Sequence, residues 1–226
     1  MSRRLIAAAA LVAAFAVGLP AVAADLAGNV QVVDDRGRRL AGAAAESVVW
    51  FVPDAGARAP RAGDFEMVTR RKRFEPRVLV VPVGSTVRFP NRDPILHNVF
   101  SVSSGNAFDL GLYSQGDGES HRFTSAGVVR VFCNVHHSMV AYVAVMPTAH
   151  YATPNADGSF RLRGVPAGPG TLWVWHERGE AESRRIDPAR TGDVALSLTA
   201  SRPLVPPHRN KLGRPYARSR RNRYGG

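Results

Sequence analysis

The sequence predicts an all-β protein between Asp25 and Ala200. Short apolar or alternating runs are separated there by Gly, Pro, Asn and Asp, which is typical of strands joined by turns. No window of about a dozen residues carries a helical period. A stretch of this length suits one or two small β-sandwiches.

The first section, residues 25–62, predicts two strands joined by a tight turn. The strands cover Gly28–Val33 and Ser47–Val52. Asp34–Gly37 supplies the residues that a tight reversal favours, because glycine tolerates a positive φ.

The middle section, residues 63–148, predicts six strands, enough for a complete small β-barrel. They are expected at Arg77–Val81, Thr86–Pro90, His97–Val102, His121–Phe123, Val128–Cys133 and Val140–Met146.

The third section, residues 149–200, predicts the remaining strands. Asp157 and Gly158 form a turn into Ser159–Arg163, and a Pro/Gly turn precedes Thr171–His176. A last strand lies near Val194–Leu198.

Read end to end, the first and third sections share an ordered set of motifs: Gly28–Val30, Asp34–Gly37, Leu40–Ala43, Asp157–Leu162 and Val165–Gly168. In this order they resemble the carboxypeptidase regulatory-like (transthyretin-like) β-sandwich. The resemblance implies that residues 63–148 are a domain inserted into a loop of a sandwich formed by residues 25–62 and 149–200. Surface loops tolerate such insertions.

Residues 1–24 resemble a secretory signal peptide. Arg3 and Arg4 precede an apolar run from Leu5 to Leu19, and small residues follow at 21–24. We expect a mature chain that begins near Asp25 and is periplasmic or secreted. An uncleaved anchor is the alternative, but the run is short for a membrane span, and we expect no stable membrane insertion.

Basic residues dominate the charge of the chain, which is formally +12. Residues 201–226 hold eight Lys/Arg and no acidic residue, and we expect this tail to be disordered because it can bury little apolar surface. An exported protein rarely meets nucleic acid, so we expect none as a partner; an acidic surface, or no specific partner, suits the tail better.

The run Arg70–Arg73 is an exposed loop or a docking patch for an acidic partner.

The stretch VFCNVHHSM, residues 131–139, contains the only cysteine of the chain. One cysteine cannot form an internal disulfide, although export favours such bonds. The thiol could be inert and buried, pair with another chain, act as a nucleophile or bind a metal.

Together with Asn91–Phe100, the stretch Gly127–Met139 resembles the cupredoxins, in particular the plastocyanin and amicyanin (methylamine-utilisation) type. The resemblance implies a Greek-key β-barrel with one type 1 copper ion, held by His97, Cys133, His136 and Met139. The spacing Cys-x2-His-x2-Met is similar to the short amicyanin loop.

The implied ligands make chemical sense as a set. Two imidazoles, one thiolate and one weak axial thioether form the trigonal site that suits copper cycling between Cu(I) and Cu(II). Met139 is expected as the axial ligand, with a distant or absent axial ligand as the alternative. Asn98 is expected to join the two ligand segments by its side chain and to direct its backbone N–H at the Cys133 sulfur.

The ligand loop departs from the amicyanin pattern beside His136. Val135 and His137 flank His136 where a proline is typical, so either the loop is looser or His137 is a second candidate nitrogen. Met146 lies too far along its strand to compete with Met139. The other histidines are isolated in the sequence and are not expected to be ligands: His121, His150, His176 and His208.

The leading hypothesis is therefore a copper electron carrier of the cell envelope, working between a redox donor and an acceptor through the exposed edge of His136. Copper storage or delivery with the same ligands is the alternative. We do not expect an enzyme. A multicopper oxidase needs paired His-x-His segments, and none occurs among the seven histidines. A thiol nucleophile needs a base apart from the cysteine loop, which this loop does not explain.

Overall fold

The computed structural model describes residues 24–216, and the prediction of a signal peptide falls almost wholly outside them. The all-β prediction is confirmed: within the described part the chain forms seventeen strands and one short 3-10 helix, Ala43–Glu46. No helix among these residues is long and apolar enough to span a bilayer.

The strands are numbered in chain order. They are β1 (Ala24–Val33), β2 (Ser47–Pro53), β3 (Asp64–Glu66), β4 (Val68–Arg70), β5 (Arg73–Glu75), β6 (Val78–Pro82), β7 (Thr86–Asn91), β8 (His97–Ser101), β9 (Phe108–Tyr113), β10 (Gly116–Arg122), β11 (Gly127–Phe132), β12 (Val140–Met146), β13 (Tyr151–Ala152), β14 (Ser159–Val165), β15 (Gly170–His176), β16 (Glu182–Ile186) and β17 (Val194–Thr199).

The first and last sections of the described chain build two sheets together. Their strand orders are β14-β1-β17 and β13-β2-β15-β16. β1 runs parallel to β17, with Val30 opposite Leu196, and antiparallel to β14. A cluster that includes Phe51, Leu162 and Leu172 fills the space between these sheets.

The middle section builds two further sheets from its own strands. One has the order β6-β12-β11-β8-β9, and the other has β10-β7-β4-β5 with β3 also paired to β7. The closed barrel that we expected is instead an open pair of sheets. The sheets stay unpaired at both edges: β9 and β10 follow each other in the chain but pair with strands of different sheets, and so do β5 and β6.

The core of the middle section explains the sequence of its central strands. All seven residues of β12 are buried, as expected for a strand covered on both faces, and they read as one continuous apolar run. One face of β12 packs into the cluster between the two middle sheets, which also holds Cys133 and Met139. The other face packs against Val48 and Trp175 of the sheet β13-β2-β15-β16. The two sheets of the first and last sections are called the outer sandwich below.

Every strand predicted from the sequence is present with bounds within about two residues, except that β1 and β10 begin earlier than expected, at Ala24 and Gly116. Six strands were not predicted: β3, β4, β5, β9, β13 and β16. Most are short, and β16 is largely exposed, so their residues carry little apolar alternation.

Residues 201–216, here called the C-terminal strap, differ from the expectation of a disordered tail, and the rest of that expected tail, residues 217–226, lies outside the described residues. They form no strand or helix, but they lie against the rest of the protein. The His208 ring stacks on Phe132 with centroids 4.2 Å apart, and the Arg202 N–H donates to the Arg178 carbonyl at 2.8 Å. The strap has few aliphatic side chains to bury. Ring stacking and hydrogen bonds to arginine residues hold it against the protein instead.

Candidate metal centre

The residues proposed as ligands lie at the ends of neighbouring strands. His97 opens β8, Cys133 directly follows β11, and Met139 directly precedes β12. β8 and β11 are antiparallel, with Phe100 opposite Phe132. The start of β8 therefore meets the end of β11, although His97 and Cys133 are far apart in the sequence.

The loop from Cys133 to Met139 is held in a tight curl by its own backbone. The Cys133 N–H donates to the Met139 carbonyl at 3.3 Å, and the Met139 N–H donates to the His136 carbonyl at 2.9 Å. These bonds turn the chain back onto itself and keep His136 beside Cys133.

Three side chains converge on one point in this region. Cys133 Sγ lies 3.7 Å from His97 Nδ1 and 3.9 Å from His136 Nδ1, and the three atoms lie within 4.8 Å of one another. With the bond lengths that zinc shows, about 2.0 Å to nitrogen and 2.3 Å to sulfur, a trigonal ion would separate its N and S ligands by about 3.7 Å. The cluster therefore has the dimensions of a metal site.

The residues of this cluster differ in how far they are buried. His97 and Cys133 are 0% exposed, whereas His136 is partly exposed. Burial is the main reason that the pKa of His136 is lowered, and the neighbouring His97 lowers it further. A lower pKa favours the neutral imidazole, which is the form that binds a metal.

The two candidate methionines lie on different faces of the sheet. Met139 is 1% exposed and packs in the same cluster as Cys133. Met146 packs on the opposite face, with Phe132 and Trp175. Met139 therefore lies in the same cluster as Cys133, and Met146 does not.

The other histidines lie outside the cluster. His137 is exposed and its ring lies on Tyr216, with centroids 3.6 Å apart. Among the described residues, one group of His, Cys, Asp or Glu side chains could hold a metal, and it consists of His97, Cys133 and His136. In the outer sandwich, burial lowers the pKa of His176 to about 4.

Asp93 is a partner of the site that sequence reasoning missed. Its Oδ2 lies 2.9 Å from His97 Nε2, on the side of the ring away from Cys133. Asp93 also accepts the N–H groups of Arg71 and Lys72, at 2.6 and 2.8 Å. Burial opposes its ionisation, yet these bonds keep the pKa of Asp93 below its usual value. The carboxylate therefore fixes the ring and leaves Nδ1 free to bind a metal.

Asn98 joins the two ligand segments through its side chain, as the resemblance to cupredoxins implied. Its Oδ1 accepts the N–H of Asn134 at 3.3 Å. Its Nδ2 donates to Asp109 Oδ1 and to the Gly111 carbonyl, both at 2.7 Å. Asn134, which follows Cys133, is thus hydrogen-bonded to Asn98, which follows His97.

Comparison with known proteins places cupredoxins among the similar structures. No protein-family model matches the chain, and no curated protein matches it. A purple cupredoxin from Nitrosopumilus maritimus is 26% identical over 37% of this chain and 100% of its own, with a TM-score of 0.34. A reduced amicyanin variant is 28% identical over 37% of this chain and 82% of its own, with a TM-score of 0.34. A pseudoazurin from Sinorhizobium is 21% identical over 38% of this chain and 76% of its own, with a TM-score of 0.33.

Proposed function

We propose that this chain is a type 1 copper protein that carries single electrons in the cell envelope. The observation that supports it best is the convergence of His97, Cys133 and His136, whose ligand atoms lie within 4.8 Å of one another. Two nitrogens and one thiolate suit copper, because sulfur holds Cu(I) and nitrogen satisfies Cu(II). Met139 is the axial ligand in this proposal, since its buried side chain flanks the loop.

The domain layout belongs to the same proposal. Residues 63–148 form a cupredoxin-like domain inserted into a transthyretin-like sandwich of residues 25–62 and 149–200. Strand pairing supports this division, because β3 to β12 pair only with one another in the described chain. The signal-like residues 1–24 support export, so that the protein would work in the periplasm or outside the cell.

The protein contributes a rigid set of ligands to the reaction. A copper ion bound there would supply reversible one-electron chemistry between Cu(I) and Cu(II). Asp93 holds the ring of His97, and the backbone bonds between Cys133 and Met139 hold the loop. Ligands that are fixed before the electron arrives need little rearrangement, which favours fast transfer.

The route for the electron is the partly exposed ring of His136. Exposed apolar side chains lie next to site residues: Ile95 (37%), Leu96 (48%), Leu112 (58%) and Val135 (45%). Exposed apolar side chains beside the site fit brief docking of a redox donor and then of an acceptor. The cations of the strap and of Arg70–Arg73 favour partners with an acidic surface.

Burial argues against copper delivery as the main role. An accepting protein must insert its own ligand while the donor ligands leave, and His97 and Cys133 are 0% exposed. Of the four proposed ligands only His136 is partly exposed, so a partner reaches one ligand and not the other three.

Copper titration tests the proposal. Cu(II) added to the copper-free mature chain, residues 25–226, is expected to give an intense visible thiolate-to-copper band and reversible one-electron voltammetry. The band should disappear in His136→Gln and persist in the matched variant His137→Gln, because His137 lies outside the cluster. A colourless wild-type chain, or rapid loss of its copper to a weak chelator, would contradict electron transfer.

Removing Asp93 is expected to weaken copper binding. In Asp93→Ala the ring of His97 loses the acceptor at 2.9 Å that orients it. Loss of such an outer partner typically costs about 10- to 100-fold in metal affinity. Competition with a chelator measures the change.

Asp117→Ala is the matched control, because it removes a carboxylate whose side chain is 78% exposed. Equal affinities for the Asp93 and Asp117 variants would show that Asp93 has no role in holding the ligand.

A further inference from the structure

The C-terminal strap contacts both segments that carry the cluster. The Lys211 N–H donates to Asn134 Oδ1 at 3.2 Å, one residue after Cys133. The Lys211 ammonium donates to Asp109 Oδ2 at 2.6 Å. Asp109 in turn accepts from Asn98, one residue after His97.

These contacts form a closed ring of hydrogen bonds. It runs from Lys211 to Asn134, from Asn134 to Asn98, from Asn98 to Asp109, and back to Lys211. The residues come from three parts of the chain that are distant in sequence, and the strap supplies the link that closes the ring. The ring neighbours His97 and Cys133 but contains no ligand.

The strap is anchored on both sides of Lys211. The His208 ring stacks on buried Phe132, with an angle of 12° between the ring planes. Tyr216 lies on His137 of the ligand loop. Anchors before and after Lys211 limit the freedom of its backbone, so that its N–H and ammonium groups meet their acceptors at little entropic cost.

We propose that Lys211 is a positioning residue of the metal centre: the strap closes the hydrogen-bonded ring around the ligand loop and sets the reduction potential of the copper through the Lys211 charge. This inference rests on the proposed function. The ammonium disfavours the more positive Cu(II) state directly. It also neutralises Asp109, whose carboxylate would otherwise favour Cu(II).

Lys211→Met removes the charge but keeps the backbone N–H and most of the side-chain length. We expect the Cu(II)/Cu(I) equilibrium to shift about threefold toward Cu(II). At 59 mV per tenfold change for one electron, this lowers the potential by about 28 mV. Lys211→Arg, which keeps the charge, should restore the wild-type potential.

The copper-free protein supplies a second measurement. With the ring opened in Lys211→Met, the N–H of Asn134 should exchange with solvent faster than in the wild type. Arg163→Met is the control for both readouts, because Arg163 is an exposed cation on β14 of the outer sandwich.

The outcomes separate the two proposals. A wild-type chain that never forms a coloured copper site contradicts the proposed function, whatever Lys211 does. A wild-type copper site whose potential and Asn134 exchange change no more in Lys211→Met than in Arg163→Met overturns the role of Lys211 alone. A faster Asn134 exchange with an unchanged potential also overturns it, because the strap would then be only structural.

Discussion

Replacing Cys133 by serine is expected to abolish the visible copper band of the protein. The band needs a thiolate bound to Cu(II), and a serine oxygen is a harder ligand that does not replace sulfur toward Cu(I). Loss of a residue that hydrogen-bonds a ligand typically lowers metal affinity about 10- to 100-fold. Loss of the thiolate itself should lower the Cu(I) affinity by more than that. Absorption, paramagnetic resonance and chelator competition measure these losses.

The substitution also buries a hydroxyl, which by itself costs about 1–3 kcal/mol when the group finds no partner. Ala141→Ser is a matched control, because Ala141 is 0% exposed and packs in the same cluster as Cys133 without being a proposed ligand. We expect this control to lose a similar free energy of unfolding and to keep its copper band. A band that survives in Cys133→Ser would exclude the thiolate as a ligand.

Local patterns in the sequence predicted much of the fold and of the cluster. The turn residues and apolar runs located the long strands, because each strand is either covered on both faces or alternates between a core and solvent. Cys133 and His136 lie in one loop, so their spacing could be read directly. His97 needed the resemblance to cupredoxins, because only the pairing of β8 with β11 brings it near the loop.

The parts that sequence reasoning missed depend on contacts between distant segments. Arg71 and Lys72 adopt positive φ angles, 51° and 56°, in the turn between β4 and β5, and their N–H groups bind Asp93. Nothing in a run of basic residues indicates such a turn. The spacing of Asp93 and His97, four residues apart, was the available signal for their contact.

The strap was missed for a related reason. Composition measures how much apolar surface a segment can bury, and residues 201–216 have little to offer. The composition of a segment does not show which hydrogen-bond acceptors other parts of the fold supply to it, such as Asn134 and Asp109 for Lys211. A segment of this kind is ordered by the surface on which it lies.

Removing Arg77 is expected to give the largest loss of stability among the surface-accessible charges. Its guanidinium donates to the carboxylate of Glu177, to the Leu204 carbonyl of the strap, and to the Val140 carbonyl at 3.3 Å. The Glu177 side chain is 3% exposed and that of Arg77 is 28% exposed. Breaking a fully buried pair costs about 3–5 kcal/mol, and the exposure of Arg77 reduces our expectation to about 2–3 kcal/mol for Arg77→Met. Urea unfolding measures it.

The double variant Arg77→Met/Glu177→Met distinguishes the cause of this loss. Two apolar side chains leave no buried charge without a partner, so the double variant should be more stable than Arg77→Met alone. An equal or lower stability would mean that the bonds to Val140 and Leu204, rather than Glu177, account for the loss.

The pH dependence provides an independent check on the same carboxylate. Burial raises the pKa of Glu177 above 4.5, and Arg77 opposes that rise, so the pKa should be higher still in Arg77→Met. A carboxyl whose pKa is higher in the folded state binds more protons there, and stability falls as pH rises from the unfolded pKa through the folded one. The loss in Arg77→Met should therefore be smaller near about pH 5 than near about pH 8. A loss independent of pH would show that Glu177 carries no uncompensated charge in the variant.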